Sequence, residues 1–245
     1  MPEYRVLPAG DTALVVEFGE HIDRQLSTWV LALARRVNET GLLGIVETVP
    51  TYRSLIVHYD PLVLPTSVLS ARIGEFMRGL KPNQGIARHW HVPACYDPQF
   101  APDLDDVAGR TSHSPAQVVE LHSATTYHVY MIGFLPGLPY LGDVPAELAL
   151  PRRTTPRLKV PAGSVAIATT MTTVYSIENP GGWHLIGRSP VPLWERQPVV
   201  RALLAPGDKV TFSPVSLREY EELRAKAVAG LLHIEPVEEM VGVAA

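Results

Sequence analysis

The sequence predicts an α+β protein made of two domains, and three observations support this fold class. In the first 80 residues, strand-like and helix-like apolar patterns follow one another in the order β-β-α-β-β-α. The segment "KPNQG" (81–85) then interrupts the pattern with proline, asparagine and glycine, as a linker does. From 133 to 206 the chain is rich in glycine and proline and has only short apolar runs, which is typical of a β-barrel or a β-sandwich. We therefore expect an N-terminal α/β sandwich domain over 1–84, a β-barrel domain over 85–230 and a frayed tail over 231–245.

Two helices and four short strands are expected in the N-terminal domain. The segment "YRVLPAGDTALVVEF" (4–18) predicts the first pair of strands, and "GIVETVPTYRSLIVHYD" (44–60) predicts the second pair. Between and after them, residues 23–38 and 67–80 each place apolar side chains on one helical face. The two faces consist of Leu26, Trp29, Val30, Leu33 and Val37, and of Leu69, Ile73, Phe76 and Leu80. Gly41 is placed to end the first helix.

The C-terminal domain opens with a predicted strand, "ARHWHVPACY" (87–96), and two helices within 102–123. The second of these helices has a clear start, because Ser114 is an N-cap residue, Pro115 suits the first helical position and Gln117 completes a capping box. A strand, "DKVTFSP" (208–214), and a helix that begins after Ser216 complete the domain.

Composition and charge exclude several classes of protein. The 245 residues are 46% hydrophobic and 19% charged, with a net charge of -4, which describes an ordinary globular protein and gives no reason to expect a nucleic-acid partner. Cys95 is the only cysteine, so neither an intramolecular disulfide nor a cysteine-based metal site is possible. The first residues do not resemble a signal peptide, and no apolar run reaches the ~18 residues of a membrane helix. We expect a cytoplasmic protein that does not enter a membrane.

The segment "PRRTTPRLKVPAGS" (151–164) is the main candidate for an anion site. Arg152, Arg153, Arg157 and Lys159 fall close together without a carboxylate among them, and prolines stiffen the backbone around them. Arginine offers a planar fork that matches carboxylate or phosphate, whereas lysine offers a point charge. The alternative is a solvated loop.

Other segments offer chemistry with an ordinary structural alternative beside each. The glycines of "GFLPGLPYLGD" (133–143) and "NPGGWHLIGRSP" (179–190) could present backbone N–H groups to an anion, or could form a barrel corner and a hairpin. His122, at the end of a predicted helix, could be an acid or base, or could simply complement the helix dipole. His89 and His91 face one side of a strand, but without a clear third ligand we expect no metal site. Glycine signatures of the common nucleotide and hydrolase folds are missing from the sequence.

These motifs, in this order, resemble the allophanate hydrolase subunit 1 family, which includes the B-type subunit of 5-oxoprolinase and the KipI-type kinase inhibitors. The resemblance covers nearly the whole chain and rests on "GDTALVVEFGE", "PDLDDVA", "YMIGFLPGLPYLG", "PRRTTPRLKVPAGSVAIA" and "NPGGWHLIGRSP". It implies that the C-terminal domain is a cyclophilin-like β-barrel. It also implies a companion protein like the C-type subunit of 5-oxoprolinase, a third subunit of 5-oxoprolinase, and ATP with Mg²⁺ as a cofactor shared with the companion.

The resemblance implies a function in the ATP-dependent cleavage of 5-oxoproline to glutamate. Phosphorylation of the lactam oxygen would turn a poor electrophile into a reactive one, and the transferring phosphoryl group needs positive charge around it. On this hypothesis the catalytic residues are His122, Arg157 and Lys159. The substrate and anion would be bound by Arg152, Arg188, Gly133, Gly137, Ser164, Gly181 and Gly182, while Arg153 is expected at the surface. The alternatives are a KipI-like inhibitor of a histidine kinase and a related subunit that acts on another small amide or urea-like substrate.

One segment departs from the family pattern. Thr169 and Thr173 stand where the family has glycine, Met171 where it has glutamine, and Ser176 where it has proline. If that strand lines the pocket, we expect the substrate to differ or the activity to be lost.

Overall fold

The computed structural model describes residues 1–82, 85–195 and 201–241. Within them the chain forms two compact units, Met1–Ala87 with Met240 and Val241, and Arg88–Glu239, so the division lies three residues beyond the expected boundary at residue 84. The reason is that one strand, β5 (Gly85–Ala94), begins at the predicted linker and continues directly into the second unit.

The N-terminal unit is a four-stranded antiparallel sheet with two helices packed against it. Its strands are β1 (Tyr4–Pro8), β2 (Ala13–Phe18), β3 (Ile45–Pro50) and β4 (Ser54–Tyr59), and its helices are α1 (Arg24–Glu39) and α2 (Thr66–Met77). The sheet order is β1-β2-β4-β3. In β4 every second side chain is buried, as the period of a half-buried strand requires. These side chains pack with those of α1 and α2 in one apolar core.

Most of the C-terminal unit is an eight-stranded sheet in the order β12-β9-β10-β7-β6-β15-β5-β16. Its remaining strands begin with β6 (Thr126–Ile132), β7 (Pro139–Gly142), β8 (Arg157–Val160), β9 (Ser164–Ala168), β10 (Met171–Val174) and β11 (Asn179–Gly181). The later ones are β12 (His184–Arg188), β13 (Trp194–Glu195), β14 (Arg201–Ala202), β15 (Lys209–Pro214) and β16 (Val237–Val241). The helices are α3 (Leu104–Arg110), α4 (Pro115–Ala124) and α5 (Leu217–Val228).

A short bridge brings the distant end of this sheet back to β5. The backbone N–H of Cys95, just after β5, donates to the carbonyl oxygen of Arg188 at 2.8 Å, and the N–H of Arg188 donates to the Cys95 carbonyl at 2.8 Å. The curled sheet encloses a core that includes Tyr127, Ile167 and Phe212. The expected α+β class, with an N-terminal α/β sandwich and a C-terminal barrel, is confirmed.

The tail differs from the expectation. Residues 237–241 form β16 at the edge of the large sheet, where a frayed end was predicted. In the ranges that the structure describes, no helix is both long enough and apolar enough to cross a membrane.

Candidate functional site

A cleft of about 380 Å³ lies in the C-terminal unit. It is bounded by the loop after β6, by the basic segment before β8, and by β11 with the residues that follow it. Its aromatic side chains are Phe134, Tyr140, Tyr175 and Trp183, and its polar side chains include Arg152, Arg153, Thr173 and Asn179. The main chain of Gly181 and Gly182 completes the lining. Aromatic walls with a few polar groups are typical of a small-molecule site.

Pairing of β8 with β11 brings the basic segment to the cleft. In this two-stranded ribbon Arg157 lies opposite Gly181. The N–H of Arg153 donates to the carbonyl oxygen of Gly182 at 2.8 Å and extends the contact. Two segments that the sequence predicted separately therefore form one side of one site.

Among the basic residues that line the cleft, Arg152 is the one available to bind an anion. Its guanidinium carbon lies 5.9 Å from the centre of the Trp183 ring, and the Tyr140 ring meets that indole edge-on at 5.8 Å between centroids. Within the described ranges, no carboxylate forms an ion pair with Arg152. An arginine that rests on an aromatic face keeps its N–H donors available to an anion.

Tyr175 adds a hydroxyl group to the cleft. Burial raises the pKa of Tyr175 to about 12, and Tyr140 adds to this rise, while the charges of Arg152 and Arg157 oppose it. Tyr175 is therefore protonated at neutral pH and can donate a hydrogen bond to a ligand.

Two of the predicted glycines allow close approach of neighbouring groups, Gly181 in the cleft lining and Gly137 outside it. A Cβ atom at Gly181 would lie 2.9 Å from Cζ of Tyr175. Gly137 has a φ of 68°, and a Cβ atom there would lie 2.7 Å from the carbonyl oxygen of Leu193. Any larger residue would displace a neighbour at either position.

Asp103, which the sequence analysis did not single out, organises the basic segment. Arg157 donates to both of its carboxylate oxygens at 2.9 and 2.7 Å, and Arg153 donates to Oδ1 at 2.9 Å. The N–H of Leu185 donates to Oδ2 at 2.7 Å. Burial alone raises the pKa of Asp103, but these hydrogen bonds and the charges of the two arginines outweigh it, so its pKa is lowered.

The basic residues consequently have different positions. Arg152 faces the cleft, whereas Arg157 is engaged by Asp103 and does not line the cleft. Arg153, expected at the surface, lines the cleft and binds Asp103. The Lys159 side chain is 79% exposed and pairs with Glu178 at 3.4 Å, away from the cleft.

Four further candidates lie outside the cleft lining. Arg188 stacks on Phe100, with its guanidinium carbon 4.9 Å from the ring centre. Ser164 lies opposite Arg188 in the paired strands and is buried. Gly133 precedes the loop, and a Cβ there would lie 2.5 Å from the Tyr140 ring. The last candidate is His122.

His122 lies in the core of the barrel rather than at the cleft. It is 0% exposed, its Nδ1 is 2.8 Å from the Tyr96 hydroxyl, and its Nε2 is 2.9 Å from Oγ1 of Thr172. Its ring stacks on Phe212 at 4.7 Å. Burial lowers the pKa of His122 to about 3, so the ring is neutral and does not exchange protons with a ligand in the cleft.

Of the four positions that depart from the family pattern, only Thr173 lines the cleft. Its hydroxyl donates to the carbonyl oxygen of Pro139 at 2.6 Å. Met171 is buried, and the Ser176 hydroxyl donates to the carbonyl oxygen of Pro136 at 2.6 Å. Thr169 has a φ of 55°, a conformation that a β-branched residue rarely adopts and glycine adopts readily.

In the part of the chain that the structure describes, no group of three or more His, Cys, Asp or Glu side chains could hold a metal ion. The ring centroids of His89 and His91 lie 4.6 Å apart with the rings tilted by 31°, and Nε2 of His89 lies 2.9 Å from Oγ1 of Thr211.

Comparisons with known proteins identify the family. Residues 4–204 match the carboxyltransferase domain family, subdomain C and D. The B-type subunit of 5-oxoprolinase from Bacillus subtilis is 36% identical over 238 residues, which cover 91% of this chain and 98% of that protein. The crystal structure of the protein TTHA0988 is 35% identical with a TM-score of 0.75, and the match covers 83% of this chain and 40% of that longer one.

A more distant relative agrees in fold alone. The crystal structure of Kluyveromyces lactis urea carboxylase is 20% identical with a TM-score of 0.79, and the match covers 97% of this chain and 24% of that one. The resemblance to B-type 5-oxoprolinase subunits is thus confirmed, and the chain belongs to the carboxyltransferase domain family, subdomain C and D.

Proposed function

We propose that this chain is a subunit of an ATP-dependent 5-oxoprolinase, which cleaves 5-oxoproline to glutamate and is active only together with a companion and a third subunit. The observation that carries the proposal is Arg152, which has no ionic partner among the described residues and rests on Trp183 in an aromatic cleft. The similarity to a B-type 5-oxoprolinase subunit over 91% of the chain gives the substrate class.

The chemistry of 5-oxoproline fits this lining. The molecule is a small, nearly flat lactam with one carboxylate. The faces of Trp183 and Tyr140 suit the ring, the fork of Arg152 suits the carboxylate, and the protonated hydroxyl of Tyr175 suits the lactam carbonyl.

The reaction needs ATP because an unstrained lactam resists water. Transfer of the γ-phosphoryl group to the lactam oxygen releases ADP and makes the ring carbon electrophilic. Water then adds to that carbon, the C–N bond breaks with the electron pair going to nitrogen, and a second water releases phosphate from the resulting acyl phosphate. On this proposal the charge of Arg152, which lines the cleft, also offsets negative charge in the first step.

This chain would supply only part of the site. The residues that line the cleft include no carboxylate, so Mg²⁺ would be held by the phosphates of ATP and by groups of the companion subunit. We place the reaction in the cytoplasm, where ATP is available.

The test is reconstitution of the complex. The chain is co-expressed with its companion and third subunit, co-purified, and assayed for ATP hydrolysis with and without 5-oxoproline, with glutamate measured as product. The proposal predicts stimulation by 5-oxoproline with equal amounts of ADP and glutamate formed. Stimulation by urea or another amide, with none by 5-oxoproline, would assign the chain to a different substrate.

A further inference from the structure

A second cavity lies beside the cleft in the C-terminal unit. Its volume is about 300 Å³, and it lies where the segment before β8 passes near α3. Arg152 and Arg153 line both cavities, whereas Arg110, Thr154, Thr155 and His184 line only the second. The sequence analysis assigned no role to these last four residues.

The second cavity has an excess of positive charge. Arg153 and Arg157 share the single carboxylate of Asp103. Arg110 has only Asp106, at 3.5 Å, and both of these side chains are largely exposed. The lining itself holds three arginines (Arg110, Arg152 and Arg153) and one carboxylate, that of Asp106, and Arg152 has no ionic partner among the described residues.

Neutral donors lie among these cations. Thr154 and Thr155 are exposed, and their hydroxyls have no hydrogen-bond partner in the described part of the chain. Nε of Arg153 is buried and also lacks a partner there. Arginine forks with adjacent hydroxyls form the donor set that binds oxyanions in proteins.

His184 lines the cavity and contacts the start of the basic segment. Its Nε2 lies 2.9 Å from the carbonyl oxygen of Pro151, and because a carbonyl can only accept, Nε2 carries the proton. The imidazole therefore holds the start of the basic segment in place. Its Nδ1 is buried and lies 4.0 Å from Oδ2 of Asp106.

We propose that this second cavity binds an oxyanion of the phosphate class, held by Arg110, Arg152 and the hydroxyls of Thr154 and Thr155. At ~30 Å³ for each water, the volume has room for a phosphate group with part of its hydration shell. Three guanidinium groups in the lining disfavour a metal cation.

This phosphate site extends the proposed function, and its role in the reaction rests on that function. Arg152 has several N–H donors and borders both cavities, so it can bind the lactam carboxylate from one side and a phosphate from the other. The phosphate that leaves the acyl intermediate would then have a separate place to bind.

In the experiment, the purified full chain alone is titrated with inorganic phosphate at constant ionic strength. Binding is measured by calorimetry and by the line width of the phosphate ³¹P NMR signal. Parallel titrations with acetate and with 5-oxoproline test whether the site binds a carboxylate instead. The variant is Arg110→Gln, because Arg110 lines only the second cavity. Arg218→Gln is the control, since Arg218 is an exposed residue of α5 paired with Glu222. Thermal unfolding shows that each variant is folded.

The proposal predicts saturable phosphate binding by the wild-type chain. Arg110→Gln should weaken this binding about tenfold, and Arg218→Gln should leave it unchanged. No saturable phosphate binding by the folded wild-type chain overturns it, as does an Arg110→Gln variant with wild-type affinity. Tighter binding of acetate than of phosphate overturns the assignment to phosphate. None of these results depends on hydrolase activity, so they remain distinct from a failure of the reconstituted complex to respond to 5-oxoproline.

Discussion

Arg157 donates two hydrogen bonds to the buried carboxylate of Asp103, one from Nη1 to Oδ2 at 2.9 Å and one from Nη2 to Oδ1 at 2.7 Å. The same carboxylate accepts from Arg153 and from the N–H of Leu185. Asp103 therefore ties the segment before β8 to β12. The orientation of Arg152 at the cleft depends on this anchored segment.

Removal of the Asp103 carboxylate is expected to destabilise the protein. Asp103→Ala leaves two partly buried guanidinium groups and one backbone N–H without their acceptor, so the free energy of unfolding should fall by about 3 kcal/mol. Denaturation with guanidinium chloride measures this change in the free energy of unfolding. Glu222→Ala, which removes an exposed carboxylate from an arginine pair, should change stability by less than about 0.5 kcal/mol. Equal effects of the two substitutions would show that Asp103 does not anchor the segment.

The same carboxylate predicts a dependence of stability on pH. Because the pKa of Asp103 is lower in the folded chain than the ~3.9 of an unfolded aspartate, the unfolded state takes up the proton first as the pH falls. The stabilisation is fully present above about pH 4 and is lost as the pH falls through the folded-state pKa. The difference in unfolding free energy between wild type and Asp103→Asn should therefore shrink below about pH 4. A difference that stays constant from pH 7 to pH 3 would contradict the assignment.

Replacement of Thr169 by glycine should increase the stability of the protein. Its φ of 55° is costly for a β-branched residue, so Thr169→Gly should raise the free energy of unfolding by about 1 kcal/mol. The neighbouring Thr170 does not have a positive φ, and Thr170→Gly should lower stability by roughly 0.5–1 kcal/mol. Chemical denaturation of both variants gives the comparison. A loss of stability in Thr169→Gly as well would mean that the threonine hydroxyl, which donates to the carbonyl oxygen of Ala168, outweighs the strain.

His122 should not titrate in the physiological range. Burial lowers its pKa to about 3, and both ring nitrogens have hydrogen-bond partners. Its ring proton and carbon shifts, followed by NMR, should stay constant from pH 5 to pH 8. In denaturant the same histidine should titrate near ~6.5, its ordinary value. A midpoint between pH 5 and pH 8 in the folded chain would restore His122 as a possible acid or base.

Local signals in the sequence predicted the helices well. The capping box of Ser114 and Gln117 places the start of α4, and Gly41, with a φ of 56°, follows the end of α1 as predicted. Strand β16 could not be predicted in the same way, because its partner in the sheet is β5, far away in the sequence. Strand pairing of that kind depends on distant residues rather than on local pattern.

The site was predicted in part. The basic segment and the Gly181–Gly182 turn do meet, but charge alone could not show which arginine remains available. Arg153 and Arg157 meet a carboxylate that lies 50 and 54 residues earlier, and only the fold brings these groups together. In the sequence, the acidic segment "PDLDDVA" was the signal that could have pointed to a carboxylate partner for these arginines. His122 was misplaced because a helix end looks exposed in sequence, whereas here it packs into the barrel core.

The most direct test of the account is the effect of Arg152→Ala on the reconstituted complex. Arg152 is exposed and makes no hydrogen bond to the described part of the chain, so the variant should fold as the wild type does. The measurement is kcat/KM for 5-oxoproline in stimulated ATP hydrolysis, with Arg218→Ala as the control. The account predicts a loss of about a hundredfold in Arg152→Ala, with the control unchanged. An unchanged kcat/KM in Arg152→Ala would contradict the central claim that this arginine binds the carboxylate of 5-oxoproline.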